Sequence, residues 1–132
     1  MGRPWPGAKE NGGIFLHPNP WAIIAEALLG NGNRAHEYCR QINPVSKNAT
    51  IEVYQCEPYV YAQYLLGDEH LQFGPARNSW LTGTASWCYQ TATQWILGIR
   101  PEIRDPRINP RIPSAWDGFR ATRRFRGRIV QI

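Results

Sequence analysis

With 132 residues, 42% of them hydrophobic, the chain is long enough for one domain with a core. Its formal charge of +5 is unevenly placed: nine of the thirteen arginines lie between Arg100 and Arg128, opposed there only by Glu102, Asp105 and Asp117. Three cysteines (39, 56 and 88) without C-x-x-C spacing argue against a disulfide framework or a cysteine-built metal site, and no apolar run approaches the roughly 18 to 20 residues of a membrane span.

Residues 1–18 read as loop, given Pro4, Pro6, Gly7, Gly12, Gly13 and Pro18. A helix then opens, with Asn19 as its N-cap and Pro20 at the first helical position. Trp21, Ile23, Ile24, Ala27 and Leu28 follow at helical spacing, and Gly30 ends the run. A second helix is predicted over 33–42, with Ala35, Tyr38, Cys39 and Ile42 on one side and Asn43-Pro44 as its stop. The short linker makes these two helices antiparallel neighbours. Residues 43–56 form a connection with a short strand at 50–54. A third helix is expected over 58–66 and a fourth over 82–97, stopped by Gly67 and Gly98. No convincing alternating strand is visible before residue 98.

The texture changes after Gly98. Prolines at 101, 106, 110 and 113 forbid a helix. Residues 118–132 alternate, with Phe119, Ala121, Phe125 and Ile129 on one side and Arg120, Arg124, Arg126 and Arg128 on the other. The expected architecture is mainly α, four helices over 1–98, followed over 99–132 by the start of a β domain. A strand that runs to Ile132 reads as a chain cut short inside that domain.

Three segments carry chemistry rather than core. They are Lys9-Glu10-Asn11-Gly12-Gly13-Ile14-Phe15-Leu16-His17, Glu57-Pro58-Tyr59-Val60-Tyr61-Ala62-Gln63 and Asn78-Ser79-Trp80-Leu81-Thr82-Gly83-Thr84-Ala85. Each sets amides, hydroxyls or charges beside aromatic or glycine residues. Six Trp and six Tyr supply rings of the kind that stack on sugar faces, though a ring is more often core. Thr82-Gly83 stands where the fourth helix opens, and a helix N-terminus favours an anion. The bland alternatives are a plain cap for Thr82, a satisfied loop histidine for His17 and a solvent-facing Gln63. Asn48-Ala49-Thr50 matches a glycosylation acceptor, and without a secretory signal it reads as a chance match.

In series these segments resemble glycoside hydrolase family 94, the inverting disaccharide phosphorylases, in the C-terminal part of the catalytic region. The resemblance also takes in His17 with Asn19-Pro20-Trp21, Gln94-Trp95-Ile96-Leu97-Gly98-Ile99-Arg100-Pro101 and Ile112-Pro113-Ser114-Ala115-Trp116-Asp117-Gly118-Phe119. It covers nearly all of residues 5–127 in order. It implies an (α/α)6 barrel, here partial over 1–98, followed by a β-sandwich-type domain. It implies phosphorolysis of a β-glucoside to α-glucose 1-phosphate and a released sugar, with cellobiose the first choice and laminaribiose, chitobiose and cellobionic acid the alternatives. His17, Gln63, Thr82 and Gly83 match phosphate-holding positions, and Lys9 matches a position contacting the leaving sugar. The family's general acid belongs to an earlier segment, so no catalytic residue is assigned in this chain. Phosphate is a substrate, and no cofactor or metal is implied. The expected partners are a disaccharide and phosphate, with no nucleic acid and no membrane, in a homodimeric, cytoplasmic parent. The rivals are a non-catalytic fragment that binds sugar or phosphate, and nucleic-acid binding by the basic tail with Trp116, Phe119 and Phe125.

Overall fold

Helix α1 (Asn19–Leu28) and helix α2 (Gly32–Ile42) pack along each other in a computed structural model that describes residues 5–132. Residues 1–4 of the expected N-terminal loop lie outside the described residues. The end of α1 follows from Gly30, whose φ of +86° lets the chain reverse. Gly30 N then donates to Ala27 O at 3.2 Å and Asn31 N to Glu26 O at 2.9 Å, the paired closure typical of a glycine-ended helix. The start of α1 differs from expectation. Pro18 holds the cap position, and Asn19 is already helical with its side-chain amide donating back to Phe15 O at 2.6 Å.

Ile23, Ala27, Ala35 and Ile96 form one core cluster, ringed by Tyr38, Cys39, Ile42 and Trp95. Ile23 is 1% exposed, and burying such a side chain stabilises by roughly 1.5–3 kcal/mol. After α2 a 3-10 turn over Pro44–Thr50 runs into a one-turn helix α3 (Ile51–Tyr54). A short strand was expected at 50–54. Asn43 decides otherwise: its side chain accepts from Val45 N at 3.0 Å and starts a helical turn with Pro44 in its first positions.

The helix expected over 58–66 is instead a strand. A three-stranded antiparallel sheet joins β1 (Ile14–Phe15), β2 (Ala62–Leu65) and β3 (Ala76–Ser79), with β2 central. The sheet also overturns the expectation that no strand precedes residue 98. Ala62, Tyr64 and Leu66 are buried while Tyr61, Gln63 and Leu65 are half-buried, a period of two. The aromatic and β-branched run of Tyr59 to Tyr64 suits that pleat better than a helix. Leu16, Tyr54, Cys56, Val60, Ala62 and Ala76 pack as a second core, with Leu65 against it.

Helix α4 (Thr84–Gln90) continues as a π-helical turn over Thr91–Ile96. Thr93 explains the widening: its hydroxyl donates to Tyr89 O at 2.8 Å, competing with the backbone for that carbonyl. At the end of this helix Gly98 has φ +70°, and a Cβ there would lie 2.0 Å from Asn109 O. Close approach by the backbone of 109 therefore requires glycine. Strands β4 (Ile99–Arg100) and β5 (Arg107–Ile108) pair there, and the chain returns across the helix ends. Arg111 N donates to Ile96 O at 2.8 Å, and Ser114 N to Asn33 Oδ1 at 2.7 Å.

The last residues form a hairpin of β6 (Thr122–Phe125) and β7 (Arg128–Gln131), as the alternation predicted. Arg126 and Gly127 turn it with φ of +48° and +78°. The predicted faces need one correction. Phe125 pairs with Arg128, and Ile129 pairs with Arg124, because two turn residues shift the parity between strands. Ile129 is therefore exposed beside Arg124 rather than grouped with Phe125. Ala121 and Ile132 exchange backbone hydrogen bonds of 2.9 Å in both directions.

Candidate functional site

The sheet brings together residues from all three motif segments. Phe15 pairs with Tyr64, and the ladder continues with Leu16 N donating to Gln63 O at 3.0 Å. In that register Leu16 stands opposite Gln63, and His17 follows it out of β1. On the other side of β2, Asn78 of β3 donates its Nδ2 to Gln63 Oε1 at 2.9 Å. From Asn78 the chain turns, with Leu81 N reaching Asn78 O at 3.4 Å, and delivers Thr82 and Gly83 to the start of α4.

His17 and Gly83 meet directly. A Cβ on Gly83 would stand 2.7 Å from His17 Cε1 and 3.0 Å from its Nδ1. Bare backbone at 83 is what admits the imidazole. The ring is steadied from α1: it meets Trp21 edge-on at 5.7 Å, and Trp21 meets Trp87 of α4 edge-on at 5.8 Å. Two helices thus hold the histidine where α4 opens.

Thr82 Oγ1 accepts from Thr84 N at 3.2 Å and lies 2.6 Å from Thr84 Oγ1. Gly83, not Thr82, holds the cap position of α4. Thr84 is fully buried. When its hydroxyl donates to Thr82, the Thr82 hydrogen is left to donate to a ligand. Thr84 N is satisfied by Thr82 Oγ1, and the remaining first-turn N–H groups, which have no partner inside the helix, offer donors to an acceptor.

Lys9 stands apart from that group. It occupies a tight turn, with φ +46° and Gly13 N donating to its carbonyl at 2.8 Å. The turn is tied to the sheet by Gly67 N, which donates to Gly7 O at 2.7 Å. The Lys9 side chain is exposed, and among the described residues its ammonium makes no hydrogen bond or ion pair. Its position beside β1 leaves it free to reach a ligand.

Glu57 lies on the approach to β2 and has a structural role. Its carboxylate accepts from Trp80 Nε1 at 3.1 Å and from Cys56 Sγ at 3.3 Å. Hydrogen bonds from its own backbone N–H, Cys56 and Trp80 hold its carboxyl below the ordinary carboxylate range. Tyr59 meets Trp80 at 6.4 Å in the same cluster. The cysteines are free thiols. Burial pushes Cys56 and Cys88 up to about 11, and burial raises Cys39 as well. Among the described residues no group of His, Cys, Asp and Glu is arranged to hold a metal ion, and no helix is long and apolar enough to cross a membrane.

Asn78, Trp21 and Thr84 belong to segments that stand out in the sequence, yet no role attaches to them there. Their importance comes from contacts across the sheet and between helices, which spacing does not reveal. The larger hollows lie elsewhere. One of about 860 Å³ is lined by residues 102–107 and contains none of the candidate residues. A groove of about 430 Å³ runs beside the terminal hairpin, lined by Arg104, Asp105, Phe125, Arg126 and Arg128 among others.

Comparison with known proteins gives the same family as the motifs. Residues 1–98 match the family described as glycosyl hydrolase 94 superfamily, catalytic domain. An N,N'-diacetylchitobiose phosphorylase of Vibrio furnissii is 47% identical over 130 residues, covering 98% of this chain. The enzyme of the same name from Vibrio proteolyticus is 45% identical over 98% of the chain. A solabiose phosphorylase of Paenibacillus borealis is 34% identical over 92% of the chain. The chain spans 16% of the length of each of these three relatives. Over a short stretch of that length, with His17 seated against Gly83 at the start of α4, the chain belongs to the glycosyl hydrolase 94 superfamily.

Proposed function

We propose that this chain supplies the phosphate cradle of an inverting disaccharide phosphorylase. The observation that carries the reading is the seating of the His17 imidazole against the bare backbone of Gly83, at the opening of α4. Thr82, the remaining first-turn N–H groups and the Gln63 amide complete a set of donors suited to an anion. Lys9 would contact the leaving sugar from the neighbouring turn. The larger frame proposed is part of an (α/α)6 barrel over 1–98 joined to a β domain over 99–132. The end of the family match at residue 98 and the change of texture there support that division.

The chemistry asks little else of this segment. Phosphate is already an anionic nucleophile, so no general base is needed. One of its oxygens attacks the anomeric carbon of the sugar as the glycosidic C–O bond breaks. A general acid gives its proton to the departing oxygen, and the single displacement inverts the anomeric centre. Glu57 is committed elsewhere, because its carboxylate accepts from Trp80 Nε1 and from Cys56 Sγ. We place the acid outside this chain, and the isolated chain should be inactive.

For the substrate, the resemblance suggested cellobiose. Two relatives near half identical carry the name N,N'-diacetylchitobiose phosphorylase, which moves that disaccharide ahead as the first to test. The test of the cradle is kinetic. In a phosphorylase carrying this segment, His17→Ala or Thr82→Ala should raise the KM for phosphate more than that for the disaccharide. Unchanged phosphate kinetics in both variants would reject the assignment.

A further inference from the structure

We infer that Asn78 is a positioning residue for the cradle: it fixes which end of the Gln63 amide faces the phosphate. The inference rests on the cradle reading and extends it.

A glutamine amide has an acceptor end and a donor end, and only the donor end suits an anion. Left to rotate, Gln63 would present either. In this sheet Asn78 Nδ2 donates to Gln63 Oε1 at 2.9 Å, which occupies the acceptor end and leaves the Nε2 hydrogens for a ligand. The register explains why these two residues meet. Ala62 pairs with Ser79 and Tyr64 with Arg77, so Gln63 and Asn78 stand opposite each other between them.

The same residue sets the approach to α4. Asn78 has φ +54°, a left-handed conformation that asparagine tolerates better than most residues. Its carbonyl accepts from Leu81 N at 3.4 Å, closing the turn that leads to Thr82 and Gly83. Asn78 thus ties both halves of the site, Gln63 by its side chain and Thr82-Gly83 by its backbone. A left-handed turn alone would be served equally well by glycine, so the side chain can be tested apart from the backbone.

The experiment titrates the chain with inorganic phosphate in the wild type, N78G, N78D and H17A. Side-chain amide signals of Gln63 are followed by NMR, and thermal unfolding checks that each variant is folded. Asn78→Gly keeps the left-handed turn and removes the donor. It should weaken phosphate binding by about three- to tenfold, the size expected for one neutral hydrogen bond. Asn78→Asp keeps the turn and the shape but only accepts, so it should draw Gln63 Nε2 toward itself and weaken binding by more than about tenfold. In the wild type, the Gln63 amide protons should shift as phosphate is added. If N78G and N78D bind phosphate like the wild type while H17A is weakened, Asn78 has no positioning role and the cradle stands. If the wild type binds no phosphate, the cradle reading fails and this inference fails with it.

Discussion

Replacing Gly83 with alanine tests the cradle at its tightest point. The backbone there has φ −80° and ψ +2°, which any residue adopts, so the substitution adds no backbone strain. The new methyl would lie 2.7 Å from His17 Cε1 and 3.0 Å from Nδ1. Ordinary carbon contacts sit near 3.5–4.0 Å, so the imidazole must retreat by roughly 1 Å. The ring is the far end of a half-buried side chain and can swing, so the cost to the fold should be small, about 1 kcal/mol. The cost to binding should be larger. A charge-assisted hydrogen bond near 2.8 Å is lost when stretched by about 1 Å, and such bonds contribute about 1.5–3 kcal/mol. Phosphate affinity should therefore fall by about 10- to 150-fold. Calorimetric titration with phosphate measures this, and thermal unfolding measures the fold. In a His17→Ala background the same substitution should cost little further affinity, because the clashing ring is gone. Unchanged phosphate affinity in Gly83→Ala, or equal losses in both backgrounds, would refute the reasoning.

Two further predictions concern the fold. Gly98→Ala should destabilise by about 3 kcal/mol or more, since its Cβ would stand 2.0 Å from the backbone oxygen of Asn109 at a φ of +70°. A urea midpoint shift worth less than about 1 kcal/mol would contradict that packing. Stability should also fall in alkali. Cys56 and Cys88 are raised from 9.0 to about 11, so the folded chain holds its thiol protons more tightly than the unfolded chain. That contribution is complete below pH 9 and is lost as pH climbs from 9 through about 11. Denaturant midpoints at pH 8 and pH 10.5 that coincide, in wild type and in Cys88→Ala alike, would show that burial of these thiols is not coupled to folding.

What could be read in advance follows from how local each signal is. Asn19 to Gly30 and the stretch ending at Asn43-Pro44 carry their periodicity and stop residues within a dozen positions, so both helices were legible. The proline-rich stretch after Gly98 and the alternation of the last residues were legible for the same reason. Residues 58–66 were not. Tyr and Val runs fit a helix face or a pleat, and β2 is a strand because β1 and β3 pair with it from distant parts of the chain. Ile129 was assigned to the wrong face because alternation counts along one strand, while the Arg126-Gly127 turn resets it. In the site, the sequence picked out the motif residues, but the closeness of His17 to Gly83 depends on two strands and two helices meeting. Asn78 lies fifteen positions from Gln63, and only the register of β2 against β3 makes them partners.

The most direct test is to map phosphate binding on the chain by amide NMR. The account predicts that shifts concentrate at His17, Gln63, Thr82 and Gly83, with Lys9 and the terminal hairpin little affected. Shifts concentrated instead at Arg104, Arg126 and Arg128, or no saturable shifts at all, would contradict it.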